Sequence, residues 1–171
     1  LRNKIMDQER WNDFGRLWKK QIEADKEKFI IEECPILPPI IRDEIINLVS
    51  PLKGKKVLEL GCGRGDLSVW MADQGAEVTA VDIGEELIAG ARLISEVNDV
   101  NVNFKVRDMV NLQLDQDRFD VVIGMSILHH LSEDDVVKSI DECYQVTNQE
   151  SIVIFSEPVE NSKIFDFIQN L

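Results

Sequence analysis

The sequence predicts an α/β fold in which helices cover both faces of a doubly wound, mainly parallel sheet. From Lys55 onward, short apolar runs alternate with segments of helical periodicity, which is the pattern of consecutive βαβ units. Two of these runs, "KKVLELG" and "FDVVIGMS", are rich in apolar residues, as expected of strands that are buried on both faces. The chain has 171 residues, of which 44% are hydrophobic, so it is long enough to bury one sizeable core.

The charge and the cysteines narrow the classes of function. The net charge is −13, from 32 acidic and 19 basic residues, and it disfavours a nucleic-acid partner, whose phosphates require clustered Lys and Arg. The three cysteines show no paired spacing, so neither a disulfide framework nor a zinc site is predicted. No apolar stretch reaches the length of a membrane span, and reduced thiols favour a cytoplasmic protein.

The N-terminal third, residues 1–50, is predicted to be a helical lid or cap segment. An apolar stripe recurs there at three- and four-residue steps: Trp11, Phe14, Trp18 and Ile22. Two interpretations are open, because the stripe either packs the helix on the core or covers a ligand site. A second helix is predicted to begin at Pro38 and Pro39, since proline suits a first helical turn. Its apolar face comprises Ile41, Ile45, Leu48 and Val49.

Residues 51–171 are predicted to form the sheet domain. Its strands are expected at residues 55–61, 77–83, 102–108, 119–126 and 151–158. Helices are expected at residues 66–74 and 84–97, the second with one apolar face made of Leu87, Ile88, Ala91 and Ile94. A further helix begins after Ser132, where Asp135 completes a capping-box-like pattern. It carries Val136, Val137, Ile140 and Tyr144.

Functional residues are expected at the carboxyl ends of the strands, because open parallel sheets bind ligands there. Gly61 and Gly63 allow the backbone to turn tightly and to approach a ligand, and Gly65 opens the next helix. Asp82 ends the second strand, where a carboxylate can accept hydrogen bonds from both hydroxyls of a ribose. Asp108 ends the third strand and could accept a hydrogen bond from an adenine amino group. This order of residues suits an adenosine.

The spacing of the glycines separates two classes of adenosine-bearing cofactor. Dinucleotide sites carry G-x-G-x-x-G, whereas residues 61–65 read G-x-G-x-G. Glu59 lies two residues before the first glycine, where a carboxylate disfavours a pyrophosphate and suits a cationic group or an α-amino group. A nicotinamide-dependent oxidoreductase is therefore the weaker alternative.

These motifs resemble those of class I S-adenosylmethionine-dependent methyltransferases. "VLELGCGRGDLS" is similar to their first motif, E-x-G-x-G-x-G, and "VTAVDIGEELIAGAR" is similar to their acidic second-strand motif. "FKVRDMVNL", "FDVVIGMSILHHL" and "SIVIFSEP" resemble their third motif, fourth motif and fifth strand. The resemblance covers residues 52–158, and it implies a Rossmann-like sheet with the strand order 3-2-1-4-5.

The resemblance also implies the cofactor S-adenosyl-L-methionine, with S-adenosyl-L-homocysteine as its product. It assigns the adenine to Ile83, Asp108 and the Met109 N–H, and the methionine portion to the neighbourhood of Met125 and Ser126. Glu59 would order the glycine loop or reach the cofactor amine through water. The full set of expected cofactor-binding residues is Glu59, Gly61, Cys62, Gly63, Gly65, Asp82, Ile83, Asp108, Met109, Met125 and Ser126.

The implied activity is in-line transfer of a methyl group to an oxygen or nitrogen atom of a small-molecule acceptor. Alignment of the reacting atoms is then the main task, and a base is needed only if the acceptor must lose a proton. His129 and His130, the only histidines, are the candidate catalytic residues because they are expected beside the methyl position. A structural or pocket-lining role is the alternative for both, and no metal site is expected.

The sequence departs from the family pattern after the fifth strand. The expected sixth and seventh strands have no counterpart in "EPVENSKIFDFIQNL", which predicts one short helix with Phe165, Phe167, Ile168 and Leu171. Three explanations are open. The chain is a C-terminally truncated fragment, which we favour, or a partner chain supplies the strands, or the protein binds the cofactor without catalysing a reaction.

Overall fold

A computed structural model of the chain describes residues 4–36, 38–114 and 118–158, and the side chains from residue 8 onward. Its sheet has five strands, and every neighbouring pair is parallel. The strands are β1 (Lys56–Leu60), β2 (Glu77–Asp82), β3 (Asn103–Val106), β4 (Phe119–Met125) and β5 (Thr147–Ser156). Their order is β3-β2-β1-β4-β5, which confirms the expected fold class.

Within the described residues, five α-helices precede or connect the strands. They are α1 (Lys4–Ala24), α2 (Pro39–Val49), α3 (Asp66–Asp73), α4 (Glu85–Val97) and α5 (Glu133–Gln145). Short 3-10 helices occupy Lys26–Phe29 and Leu128–His130. The Ser132 hydroxyl accepts a hydrogen bond from the Asp135 N–H at 3.3 Å, so the predicted cap of α5 forms. None of the helices that the structure describes is both long and apolar enough to cross a membrane.

The central strand β1 contributes residues to two apolar clusters, one on each face of the sheet. Val57 packs in the cluster that includes residues of α1, α2, α3 and α4. Leu58 and Leu60 pack in the second cluster, which includes Val136 of α5. Alternate residues of a strand point to opposite faces, so β1 is buried on both sides and its end is held firmly.

Strand β5 begins four residues before the predicted strand, at Thr147. Thr147 pairs with Phe119, and the pairing with β4 then shifts register before Val121. The Ser151 hydroxyl accepts the Asn148 N–H at 2.8 Å and donates to the Phe119 carbonyl at 2.8 Å, which holds the irregular stretch. The sequence pattern missed this stretch because its side chains are polar, whereas it joins the sheet through its backbone. The predicted C-terminal helix lies outside the described residues.

The predicted apolar face of α2 was wrong for one residue. Ile45 and Val49 are buried, but Leu48 is 58% exposed. Successive i, i+4 positions form the buried row, and Leu48 lies about 60° around the helix from Ile45, beside that row.

The apolar residues predicted along α5 divide in the same way. Val136 is fully buried, whereas Tyr144 is 83% exposed and Val137 and Ile140 are each 40% exposed. The buried row continues instead through Ser139 and Cys143, whose small side chains let the helix approach the sheet.

Helix α1 crosses the start of α4 at very short distance. A Cβ atom at Gly15 would lie 2.4 Å from the Glu86 carbonyl carbon and 2.5 Å from the Leu87 nitrogen. Only a residue without a side chain allows the two backbones to approach this closely. Gly15 therefore sets the position of α1.

Two side-chain hydrogen bonds fix α1 to the turn between β2 and α4. The Gln8 amide donates to the Ile83 carbonyl at 3.1 Å. The side-chain oxygen Oδ1 of Asn12 accepts the Glu86 N–H at 3.1 Å. The residue at the N-cap of α4, Gly84, has no side chain to cap the helix, so Asn12 supplies that contact from another element.

Replacement of Gly15 by Ala is expected to lower the free energy of unfolding by about 1–3 kcal/mol, because the added methyl group overlaps the Glu86 backbone. Gly90→Ala is the matched control, since it also adds a methyl group to a buried helical glycine. The nearest atom to that methyl group is 4.0 Å away, and helix propensity then raises stability by up to about 1 kcal/mol. Urea unfolding measures both variants. Equal stability changes would contradict the close packing at Gly15.

Candidate functional site

A cavity of about 800 Å³ opens at the carboxyl ends of the strands. This volume is within the usual range for small-molecule sites. Its walls come from α1, the loop after β1, the ends of β2, β3 and β4, and the start of α5. The lining residues are Arg10, Trp11, Trp18, Gly61, Gly63, Asp82, Ile83, Leu87, Arg107, Asp108, Met109, Met125, Ser126, Ile127, His130, Leu131, Ser132, Asp134, Asp135 and Lys138.

The loop after β1 adopts a backbone that requires its three glycines. Gly61, Gly63 and Gly65 have φ values of +66°, +53° and +84°, a region that other residues rarely occupy. A Cβ at Gly65 would meet Ala91 and Phe104 at 2.9 and 3.1 Å, so this glycine also packs the loop on the core. A Cβ at Gly63 would have no protein atom within 4 Å, because this glycine faces the cavity.

The Asp82 carboxylate joins the glycine loop to the end of β2. Its Oδ2 accepts the Gly63 N–H at 2.9 Å, and its Oδ1 accepts the Gly84 N–H at 2.9 Å. The residue is only 8% exposed, and burial raises the pKa of its carboxyl group, while the hydrogen bonds from Gly84 and Gly63 oppose this rise. Each oxygen keeps acceptor capacity toward the cavity, as hydroxyl groups of a ligand require.

Glu59 lies behind the glycine loop and does not line the cavity. It is 4% exposed, and its Oε2 accepts a hydrogen bond from the Ser68 hydroxyl of α3. Burial raises the pKa of Glu59 to about 8; the Ser68 bond opposes the rise, and the charges of Asp66 and Asp82 add to it. This hydrogen bond ties β1 to the first turn of α3, which fits the expected role of ordering the glycine loop.

Cys62 also points away from the cavity, into the core. Its side chain is 7% exposed within the larger apolar cluster, and its N–H donates to the Val81 carbonyl at 3.0 Å. Burial raises the pKa of the Cys62 thiol, so the thiol is kept in its unreactive form.

The expected adenine-binding residues come together at the β2 and β3 side of the cavity. Ile83, Asp108 and Met109 all line it. The Asp108 carboxylate accepts the Val110 N–H at 3.2 Å, and its backbone carbonyl accepts the Asn111 N–H at 2.9 Å. These local hydrogen bonds orient the carboxylate at the end of β3.

The end of β4 forms the opposite wall. Met125 and Ser126 line the cavity, and Ser126 has a φ of +53°, which is unusual for a residue with a side chain. Ile127 packs over two glycines. A Cβ at Gly61 would lie 2.5 Å from its Cδ1, and one at Gly124 would lie 3.0 Å from its Cγ2 and 2.8 Å from the Phe155 ring.

The two histidines have different surroundings. His130 lines the cavity and contacts Trp11 edge-on, with 5.1 Å between ring centroids. His129 is not among the lining residues, and its Nδ1 lies 2.7 Å from Glu157 Oε2. Glu157 also accepts the N–H groups of Ile127 and Leu128, both at 2.8 Å. Glu157 therefore fixes the turn that carries the histidines.

The structure brings most of the predicted site residues together. Gly61, Gly63, Asp82, Ile83, Asp108, Met109, Met125, Ser126 and His130 all line one cavity. Glu59, Cys62, Gly65 and His129 support it from outside. Within the described ranges, no cluster of three or more His, Cys, Asp or Glu residues is arranged to bind a metal ion.

Sequence reasoning missed several lining or supporting residues. Arg10, Arg107 and Lys138 place cationic side chains on the cavity wall, and Glu157 holds the wall from behind. No spacing signal points to these residues, because each reaches the site through the packing of its element. Trp11 and Trp18 carried a signal as part of the aromatic stripe, and they line the cavity while Ile22 is buried in the core. The stripe therefore contributes both to the core and to the cavity wall, and its role as a lid stays a prediction.

The residues present fit a nucleoside. The buried Asp82 carboxylate offers acceptors for two hydroxyl groups, and Ile83, Leu87 and Met109 provide apolar surface for a base. Gly63 leaves room for close approach of the ligand to the backbone.

Comparison with known proteins agrees with this geometry. A family model described as a methyltransferase domain matches residues 57–150. The ubiquinone biosynthesis O-methyltransferase of Coxiella burnetii is 35% identical over 125 residues, which are 73% of this chain and 53% of that protein. The chain thus spans about half the length of the curated relatives it matches.

Solved structures share the fold. The chain is similar to a TehB-like SAM-dependent methyltransferase from Corynebacterium glutamicum, with a TM-score of 0.68 and 18% identity over 94% of this chain and 79% of that one. It is also similar to magnesium protoporphyrin IX methyltransferase from Synechocystis, a structure with bound SAM. There the TM-score is 0.63, with 22% identity over 86% of this chain and 73% of that one.

The buried Glu59 carboxyl group predicts a pH dependence of stability. Its pKa is about 8 in the folded protein against an ordinary value of 4.5, so folding favours its protonated form. The stabilisation is complete below pH ~4.5 and is lost as the pH rises through ~8. Between pH 5 and 8.5, the free energy of unfolding should therefore fall more in the ligand-free wild type than in Glu59→Gln. The difference should be a few kcal/mol, at about 1.4 kcal/mol per pKa unit. Denaturant unfolding across this range measures the difference, and parallel curves would refute the assignment.

Proposed function

The chain belongs to the methyltransferase domain family, and from that membership we propose that it binds S-adenosyl-L-methionine and transfers its methyl group to a small-molecule acceptor. The observation that carries the proposal is the buried Asp82 carboxylate, bonded to the Gly63 N–H at the cavity wall. A carboxylate in this position is suited to the two ribose hydroxyls of the cofactor. S-adenosyl-L-homocysteine is the product released.

The proposal places the cofactor along the carboxyl ends of β1, β2 and β3. Gly61 and Gly63 line its amino-acid and ribose portions, and Gly65 holds the loop on the core. Ile83 and Met109 cover the adenine, and Asp108 accepts a hydrogen bond from its amino group. The methionine portion points toward Met125 and Ser126 at the end of β4, so the reacting methyl group lies near His130.

An oxygen atom is the favoured acceptor, with nitrogen as the alternative. The names of the curated relatives support oxygen, since they are O-methyltransferases. The same names support a small-molecule acceptor, and the net charge of −13 counts against nucleic acid. The three free, buried cysteines support a cytoplasmic location.

Positioning is the main contribution of the protein to this reaction. The cofactor supplies an activated methyl group, and the cavity walls hold acceptor and cofactor in line. His130 lines the cavity and is the candidate base for a hydroxyl proton. His129 contacts Glu157 instead, so it positions the turn. Helix α1 acts as the lid, because Trp11 and Trp18 cover the cavity.

Calorimetric titration with S-adenosyl-L-homocysteine tests the binding site. Asp82→Asn is expected to weaken binding about 10- to 100-fold, because a charge-assisted hydrogen bond contributes about 1.5–3 kcal/mol. Asp120→Asn is the matched control. Asp120 also accepts a backbone N–H, from Lys56 at 2.8 Å, but it lies at the amino end of β4, away from the cavity. Circular dichroism verifies that both variants are folded.

Three results, two from this titration and one from an acceptor screen, would count against the proposal. Binding of NAD(H) without binding of S-adenosyl-L-homocysteine would favour an oxidoreductase. Unchanged affinity in Asp82→Asn would refute the assigned pocket. Tight binding without methyl transfer to any member of a broad acceptor panel would favour a non-catalytic or partner-dependent binding protein.

The role of His130 is tested by comparing two variants. Turnover is measured as S-adenosyl-L-homocysteine release with a panel of hydroxyl and amino acceptors. His130→Gln is expected to reduce turnover at least ~100-fold, with cofactor affinity nearly unchanged, because a base acts only on the acceptor proton. His129→Gln should reduce turnover far less. The reverse ranking would contradict the assignment.

A further inference from the structure

Arg64 is the one charged residue within the glycine loop, and its side chain reaches the lid. Its guanidinium carbon lies 5.7 Å from the ring centroid of Trp18 on α1 and 5.4 Å from that of Phe29, in the 3-10 helix after α1. Both distances are within the range of cation–π attraction. The neighbouring residues Gly63 and Gly65 give the loop a left-handed backbone on each side of Arg64.

Asp66 fixes the orientation of this guanidinium. Its two carboxylate oxygens accept hydrogen bonds from Arg64 Nε at 2.7 Å and Nη2 at 2.9 Å. A bidentate pair of this kind holds the planar group in one orientation, which a lysine ammonium cannot reproduce. Asp66 is the first residue of α3, so the pair also connects the glycine loop with that helix.

The lid contacts the cofactor side of the sheet at a second place. Gln8 and Asn12 bind the turn after Asp82, through Ile83 and Glu86. Helix α1 therefore touches both segments that meet at the Asp82 carboxylate: the glycine loop through Arg64 and the β2–α4 turn through these amides. A change in either segment is transmitted to α1 by direct contact.

We propose that Arg64 is a positioning residue that couples docking of α1 to the order of the glycine loop, so that lid closure and cofactor binding stabilise each other. The proposal rests on the proposed function of the cavity. Coupling of this kind is reciprocal: the cofactor strengthens docking of α1 by the same factor by which docked α1 strengthens cofactor binding.

The affinity test uses S-adenosyl-L-homocysteine and five proteins: wild type, Arg64→Gln, Arg64→Lys, Trp18→Leu and the double variant Arg64→Gln/Trp18→Leu. Arg64→Gln is expected to weaken binding about 5- to 30-fold, the range of one or two cation–π contacts. Arg64→Lys should be intermediate, because it keeps the charge and loses the bidentate pair. The double variant should lose less affinity than the product of the two single losses. Additive losses would refute coupling through this contact.

The second measurement is hydrogen exchange of the α1 amides, with and without saturating S-adenosyl-L-homocysteine. The ligand is expected to slow exchange in α1 of the wild type, and to slow it much less in Arg64→Gln. Arg16→Gln is the matched control, since it removes the same charge from an arginine whose guanidinium, among the residues that the structure describes, bonds to Glu9 and Asp13 of its own helix. It should behave like the wild type.

The outcomes separate this proposal from the function of the cavity. If the wild type does not bind S-adenosyl-L-homocysteine, the proposed function fails. If it binds and Arg64→Gln shows the wild-type affinity, or shows weaker binding with unchanged α1 protection, the coupling is overturned. Thermal unfolding of each variant identifies any loss of folding, and Trp18→Leu tests the same contact from the α1 side if Arg64→Gln does not fold.

Discussion

The carboxylate of Asp82 is the contact on which the site depends. It accepts N–H groups from Gly63 and Gly84, and so holds together the loop after β1 and the turn after β2. These segments are neighbours only because β1 and β2 are parallel and end at the same edge of the sheet. Burial raises the pKa of this group, and the two backbone donors, which favour the charged form, oppose part of that rise. The Asp82 carboxylate thus both fixes the backbone of the two segments and places an acceptor group at the cavity wall.

Helix α1 adds a further wall to the cavity at this edge of the sheet. Gly15 allows close contact with α4, and Asn12 supplies a cap that Gly84 has no side chain to provide. The aromatic residues of α1 then lie over the strand ends, next to the loop that carries Arg64. Helix α1 is therefore bonded to the same turn as the Asp82 carboxylate.

The sequence was sufficient for the sheet and for much of the site. The positions of Gly61, Gly63, Asp82 and Asp108 follow from local patterns, because parallel strands bring their ends to one edge whatever the helices do. The strand order was predicted from the resemblance to a known family. Contacts that depend on how helices dock were not predictable. Glu157 reaches the turn before the histidines only because β5 lies beside β4.

Burial along the helices was only partly predictable for a related reason. Periodicity marks the apolar residues of a helix, but it does not tell which of two adjacent rows faces the sheet. Leu48 and Tyr144 fit a helical stripe and are exposed, whereas Ser139 and Cys143 attract no attention in the sequence and are buried. Which row faces the sheet depends on the side chains of the neighbouring elements that pack against the helix.

The packing of Ile127 over Gly61 and Gly124 has a consequence for sequence variation among homologues. The space above Gly124 is shared by Ile127 and the Phe155 ring, so a larger residue at 124 must be accompanied by a smaller one at 127 or 155. Gly61 has no such freedom, because its left-handed backbone excludes larger residues whatever its neighbours are. Positions 124, 127 and 155 should therefore vary together during evolution, while position 61 stays fixed.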